Sequence, residues 1–260
     1  MVVGRAVPYA LGAFVLGVLG LISRDFAFQW QPVPETVPLR SGLAIISAAV
    51  MVLGALAALW PRTARVSGLI LAASFGVWAL LLHGPRLVAH PSVALEWLGL
   101  AESATMAAGG VALYAETLEA GDLRRRLTFS SRIGFGASLL VFGLSHFVYL
   151  EFTAKMVPAW LPWPTGLAAA TGAGHLLAGL AFLSNRRLKA AGPAITGMMG
   201  GFVLLLHIPR IIATPDSRME WTMGAVALTL TGAAFALWRL NTDASNKVSG
   251  PTLLPAPASP

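Results

Sequence analysis

The sequence predicts an all-α integral membrane protein of eight transmembrane helices, arranged as two parallel four-helix bundle repeats. Three observations carry that reading. Of the 260 residues, 56% are hydrophobic and only 11% charged, where a soluble domain carries roughly 25% charged residues. Eight segments are apolar over about the 20 residues that a helix needs to cross hydrocarbon. A distinctive set of residues also recurs at an offset of 124 positions. The hydrophobic content excludes a disordered chain. The absence of cysteine excludes disulfides, iron–sulfur clusters and thiol redox centres.

The first apolar segment, about 8–28, follows Arg5 and has the look of a signal sequence. It is long for one, and it has a counterpart later in the chain, so it is read as a span. Segments at about 41–60, 67–88 and 94–115 complete a first unit, residues 1–115. A charged cytoplasmic linker is expected over 116–130. Segments at about 132–150, 165–184, 190–211 and 221–239 then form a second unit, 131–240. The tail, 241–260, turns polar and then Pro- and Ser-rich, and is expected to be disordered. No segment alternates as a barrel strand does, and a helix satisfies its own backbone in lipid.

Eight spans place both termini on one side. That side carries twelve basic residues, among them Arg5, Arg62, Arg65, Arg186 and Arg187, against six on the other. The positive-inside rule makes it the cytoplasmic side. Arg124-Arg125-Arg126 has no interleaved aromatics and sits beside acidic residues. It reads as a topology signal, and the net charge of +7 implies no nucleic-acid partner.

The repeat is specific. Leu81-Leu82-His83-Gly84-Pro85-Arg86 recurs as Leu205-Leu206-His207-Ile208-Pro209-Arg210, and Ala89, Pro91, Glu96 and Trp97 recur as Ala213, Pro215, Glu220 and Trp221. Phe28, Val33, Pro34, Pro38 and Gly42 recur as Phe152, Val157, Pro158, Pro162 and Gly166. Composition bias would align Leu with Leu; it would not align His, Pro, Arg, Glu and Trp in one register. Four spans per unit preserve orientation, so the units are parallel repeats about an axis along the membrane normal.

Ionisable groups inside a bilayer are costly and are functional candidates by default. Here they are His175, His146, Glu102, His83 and His207, all near the midplane or in the outer half. Three of them break the repeat: His175 faces Met51, His146 faces Ile22 and Glu102 faces Val226. The duplicated His-x-Pro-Arg and the following glutamate read as a structural clasp, Arg86 with Glu96 and Arg210 with Glu220. A carboxylate also suits a helix N-terminus. Trp30, Trp160 and Trp163 read as an interfacial belt.

The second unit contains Gly143-Leu144-Ser145-His146-Phe147, then Phe152-Thr153-Ala154-Lys155-Met156-Val157-Pro158-Ala159-Trp160-Leu161-Pro162-Trp163-Pro164, then Thr171-Gly172-Ala173-Gly174-His175. These motifs resemble the DoxX-like family of small four-helix bacterial membrane proteins. The likeness covers about residues 130–240 and reaches the first unit through the duplication. It implies a redox-associated, quinone-linked component or subunit of the bacterial cytoplasmic (inner) membrane. The family's carboxylate in the second-helix motif is replaced here by His175.

The partners expected are the lipid bilayer and a partner redox subunit. Quinone is the leading cofactor class. A b-type haem between two of the histidines, or a zinc or copper ion on the five polar residues, are lesser alternatives, and no metal site is assigned. The competing reading is a non-enzymatic scaffold or partner subunit, or a carrier of small lipophilic solutes. No phosphate loop, dinucleotide fingerprint or HExxH is present.

Overall fold

The structure is a computed structural model that describes residues 2–248, with side chains over 4–242. The described residues form helices and no strands. In chain order they are α1 (Val2–Ser23), α2 (Arg40–Ala57), α3 (Ala64–Val77), α4 (Gly84–Ala89), α5 (Ala94–Glu116), α6 (Asp122–Val148), α7 (Leu150–Met156), α8 (Pro164–Ser184), α9 (Leu188–Phe202), α10 (Ile208–Ala213) and α11 (Arg218–Val248). Seven stretches are long and apolar enough to cross a membrane: Gly4–Ser23, Arg40–Ala57, Ala64–Ala89, Asp122–Val148, Pro164–Ser184, Leu188–Ala213 and Arg218–Thr242. Their outward faces expose Ile46, Leu53, Leu177, Leu180 and Leu204, a surface that water would not tolerate as a continuous patch. This is the pattern of a multi-pass α-helical membrane protein.

The eighth expected span, α5, is a helix of 23 residues but is not among the seven. Glu96, Glu102, Ser103 and Thr105, with several glycines, dilute its apolar character. Its position explains why that is tolerated. It packs on α3, α6 and α11, so much of its polar surface meets protein rather than lipid.

Two long helices are interrupted in the same way. Between α3 and α4, Trp78–His83 is a π-turn, and between α9 and α10 so is Val203–His207. Each precedes a proline, Pro85 or Pro209, which has no N–H and clashes with the preceding turn. The chain answers by widening the turn: Gly84 N–H bonds to Ala79 O and Ile208 N–H to Val203 O, five residues back. The widened turns carry His83 and His207.

Helices neighbouring in sequence pack in order, α1 on α2, α2 on α3 and α3 on α5, then α6 on α8, α8 on α9 and α9 on α11. The simplest arrangement, two self-contained bundles side by side, is not what closes the molecule. α1 packs chiefly against α2 and α11, and α6 chiefly against α8 and α5. The first long helix of each half thus closes against the last long helix of the other, and α5 and α11 touch at the centre. In lipid this contact depends on close packing and hydrogen bonds rather than on expelling water. At Gly232 of α11 the backbone of Tyr9 lies where a Cβ would stand. Only glycine lets the two helices approach so closely. The Tyr9 hydroxyl then donates to Met106 O of α5 at 2.6 Å.

Two boundaries differ from expectation. α6 begins at Asp122, so Arg124-Arg125-Arg126 lies in its first turns rather than in an open linker. α11 runs past Asn241 to Val248. Asn241 Nδ2 donates to Leu237 O at 2.7 Å and Thr242 Oγ1 to Trp238 O at 3.0 Å. Polar side chains that bond one turn back extend the helix into a stretch whose composition reads as tail. The remainder of that tail, 249–260, lies outside the described residues.

Candidate functional site

The chain termini end is marked by Arg5 of α1 near Glu116 of α5 at 3.3 Å, and by Arg132 of α6, which donates to Phe182 O and, at 3.1 Å, to Leu183 O. Arg132 thereby caps the C-terminal carbonyls of α8, where a cation is favoured. All five candidate polar residues lie towards the opposite, far end or at mid-helix.

At the far end the two halves share one device. Arg86 Nε and Nη2 donate to Glu96 Oε2 and Oε1 at 2.8 and 2.7 Å. Arg210 does the same to Glu220 at 2.9 and 2.6 Å. Each is a fork of two parallel charged hydrogen bonds that ties the short helix after the π-turn to the start of the next helix. Trp97 and Trp221 close the same turns by donating to Pro91 O and Pro215 O at 2.9 and 2.8 Å.

Beyond that device the halves diverge. In the first half the loop after α1 folds inward, burying Phe26, Ala27, Trp30 and Gln31. Gln31 holds it there, its Oε1 accepting from Ala27 N–H at 3.0 Å and its Nε2 donating to Ser47 Oγ at 3.1 Å. Trp30 is 6% exposed, so it is an inserted plug and not part of an interfacial belt. Its indole Nε1 donates to Glu102 Oε2 at 2.8 Å, and its carbonyl accepts from His83 Nε2 at 3.1 Å. The His83 ring lies directly on Gly99, where a Cβ would stand 2.5 Å from ring atoms. Glu102 and His83 are therefore joined through one tryptophan.

The same loop also reaches the other half. Asp25 accepts from Arg40, and Arg218 at the start of α11 donates to Asp25 O and Phe26 O at 3.0 and 2.7 Å while stacking over Phe28 at 4.4 Å. Burial pushes the Asp25 carboxyl up. The Phe26 N–H, Arg40 and Arg218 together outweigh it and hold the group below the usual carboxylate value.

In the second half the corresponding loop stays out. It forms α7 and then exposes Trp160 and Trp163, at 68% and 82%. Position 154, the counterpart of Trp30, is alanine, and among the described residues His207 makes no bond like that of His83 Nε2 to the Trp30 carbonyl; the Nδ1 atoms of His83 and His207 are both buried without a hydrogen-bond partner. His146 of α6 and His175 of α8 come together instead. Their ring centroids are 5.1 Å apart with planes inclined by 32°. His146 Nδ1 bonds to Phe142 O at 2.8 Å and His175 Nδ1 to Thr171 O at 2.9 Å. A carbonyl only accepts, so each Nδ1 carries a proton, and in the neutral form of either ring the lone pair is on Nε2. No hydrogen bond to either Nε2 exists among the described residues. Phe202 stacks beside both rings, at 6.5 and 6.3 Å, and Phe142 meets His175 edge-on at 5.8 Å. His175 is 2% exposed and His146 is half-buried.

No known protein family, curated protein or solved structure matches the chain. The chemistry must therefore be argued from the side chains. The five candidates form two separate sets, His83 with Glu102 and His146 with His175, while His207 joins neither. Among the described residues no three His, Asp or Glu side chains cluster as a metal centre. Sequence reasoning missed Trp30 as the link between His83 and Glu102, and it missed Phe202. A lone aromatic in a loop or an apolar helix carries no signal of what it touches.

Proposed function

We propose that the protein is a redox-associated, quinone-linked component of the bacterial cytoplasmic membrane, of DoxX-like kind, with the His146–His175 pair as its centre. In this reading α5 is an eighth span, enclosed by its neighbours. The two halves are tandem parallel repeats with both termini in the cytoplasm, so the pair lies in the outer half of the bilayer. Support for the repeat comes from the matched π-turns and matched Arg–Glu forks at the same offset in sequence. Support for the orientation comes from the basic residues crowded at the termini end.

The observation that carries the functional reading is the pair itself. Two imidazoles stand side by side in an apolar, aromatic setting, and neither Nε2 has a hydrogen-bond partner among the described residues. A lipophilic electron carrier diffusing in the membrane would meet half-buried His146 beside exposed Leu144 and Phe147. The open nitrogens are the polar groups that this carrier, or the centre serving it, requires. With no cysteine in the chain, electrons have no thiol route.

Solvent extraction of the purified protein tests this. Bound quinone is expected in the wild type and in His83→Ala, and not in His175→Ala. A wild-type protein free of quinone, or equal retention in His175→Ala, overturns the reading. The topology has its own test. Single cysteines introduced beside Arg86 and Arg210 are expected to react from the same, outer face, and labelling from opposite faces contradicts parallel repeats.

A further inference from the structure

The His146–His175 pair has the attributes of a metal ligand set, and we infer that His146, His175 and Met198 bind one copper(I) ion. The inference rests on the reading of this pair as the redox centre and names the cofactor class it would take. Four observations converge on it.

The first is tautomer control. A metal-binding histidine generally donates its other ring N–H to a fixed acceptor, which sets the ring angle and makes the free nitrogen more basic. Both rings do so, each to a carbonyl of its own helix four residues back. The α6 and α8 backbones thereby fix the two rings and leave Nε2 as the free nitrogen of each. The second is spacing. With a metal–nitrogen bond of about 2.0–2.1 Å and about 1.1 Å more to the ring centre, two imidazoles on one ion have centroids about 5.1–5.5 Å apart at tetrahedral or trigonal angles. The same arithmetic gives about 6.4 Å for two ligands on opposite sides of an ion. The observed 5.1 Å matches the bent arrangement. It is too short for a linear pair or for the two axial ligands of a haem.

The third observation supplies another ligand. A bent pair leaves the ion open on one side. Met198 of α9 reaches α8 beside His175, its Sδ standing 3.1 Å from where a Cβ on Gly174 would be. It is partly buried against the core. A methionine side chain has three rotatable bonds and a polarisable sulfur, so Met198 is the thioether from α9 that the proposal assigns as third ligand. Its counterpart in the first half is Ser74, as His146 and His175 are matched by Ile22 and Met51. All three ligands are thus peculiar to the second half.

The fourth is charge and softness. Neither ring has a carboxylate among its hydrogen-bond partners, and the nearest aromatic neighbours are Phe142 and Phe202. Two imidazoles and a thioether are all neutral, in a setting of low polarity. A thioether selects copper(I), and a neutral ligand set suits a monovalent ion better than zinc(II).

The test uses the full-length protein, purified in detergent and stripped with a chelator. Copper(I) is then titrated anaerobically in competition with a chromophoric copper(I) chelator. About one ion per chain is expected, lost in His146→Ala and in His175→Ala, and weakened at least tenfold in Met198→Leu, which keeps the side-chain volume. His83→Ala and His207→Ala are expected to bind as the wild type does. No transfer of copper from the chelator overturns the inference. So does binding that survives both histidine substitutions, or zinc(II) bound equally tightly. Quinone content measured on the same samples reports on the redox reading separately: copper bound without quinone sinks the quinone link and leaves the metal site standing, and quinone without copper does the reverse.

Discussion

The far ends of the two halves share a frame and differ in what fills it. In each, a proline widens a helix into a π-turn, and an arginine–glutamate fork fastens the short helix that follows. In the first half an inward loop then fills the space. Trp30 uses both its indole and its carbonyl to bind Glu102 and His83, and the His83 ring rests on a glycine. In the second half Ala154 stands where Trp30 would be, the loop remains outside, and two imidazoles are left with open nitrogens. One frame is thus filled in two ways. Trp30 ties Glu102 and His83 Nε2 into the protein and leaves His83 Nδ1 buried without a partner, whereas His146 and His175 both keep Nε2 free of any hydrogen bond among the described residues.

Removing the plug should have the largest effect. Trp30→Ala is expected to destabilise the protein by about 3–5 kcal/mol, read by thermal unfolding in detergent. Trp163→Ala, on the exposed loop, should change stability by under about 0.5 kcal/mol. Equal effects would mean that the first loop is not a structural insert. Next in size is Gly99→Ala, whose methyl would collide with the His83 ring and cost about 1–3 kcal/mol. Suppression of that loss by a second change, His83→Ala, would show that the ring is the obstacle. Arg86→Ala and Arg210→Ala should each cost about 2 kcal/mol by stranding a carboxylate. The two losses should be similar if the forks are equivalent, and a loss in one alone would break the shared frame.

The smallest effect concerns pH. Asp25 is held below the usual carboxylate value in the folded protein, so its contribution is present above the unfolded-state value and is lost as the pH falls through the folded one. Asp25 is partly exposed, which keeps that contribution under about 1 kcal/mol. Wild type and Asp25→Asn should therefore differ in melting temperature at neutral pH and converge only once the pH has fallen below the lowered folded-state value. A gap that persists in acid would mean that the Asp25–Arg40–Arg218 contact acts through shape rather than charge.

Much of this frame was legible in the sequence, because His, Pro, Arg, Glu and Trp aligned in one register cannot arise from apolar bias. What the register could not give is neighbourhood. An offset of 124 residues pairs His83 with His207 but says nothing of whether either meets Glu102. It could not show α1 closing against α11 rather than α5, since that follows from surface complementarity at positions such as Gly232 and Tyr9. The polarity of α5 reads as a weak span until its neighbours are known. The pairing of His146 with His175 was hidden because the two lie on different helices, and Met198 was hidden because methionine in an apolar helix looks like any other filler.

Histidine tautomers test the contrast between the halves most directly. Nitrogen-15 spectra of the histidine-labelled protein, assigned by single His→Gln variants, distinguish a ring protonated at Nδ1 from one protonated at Nε2. Nε2–H is expected for His83, which donates to Trp30, and Nδ1–H for both His146 and His175, which leaves their Nε2 atoms free to accept a ligand. The same tautomer at His83 and His175 would contradict that contrast.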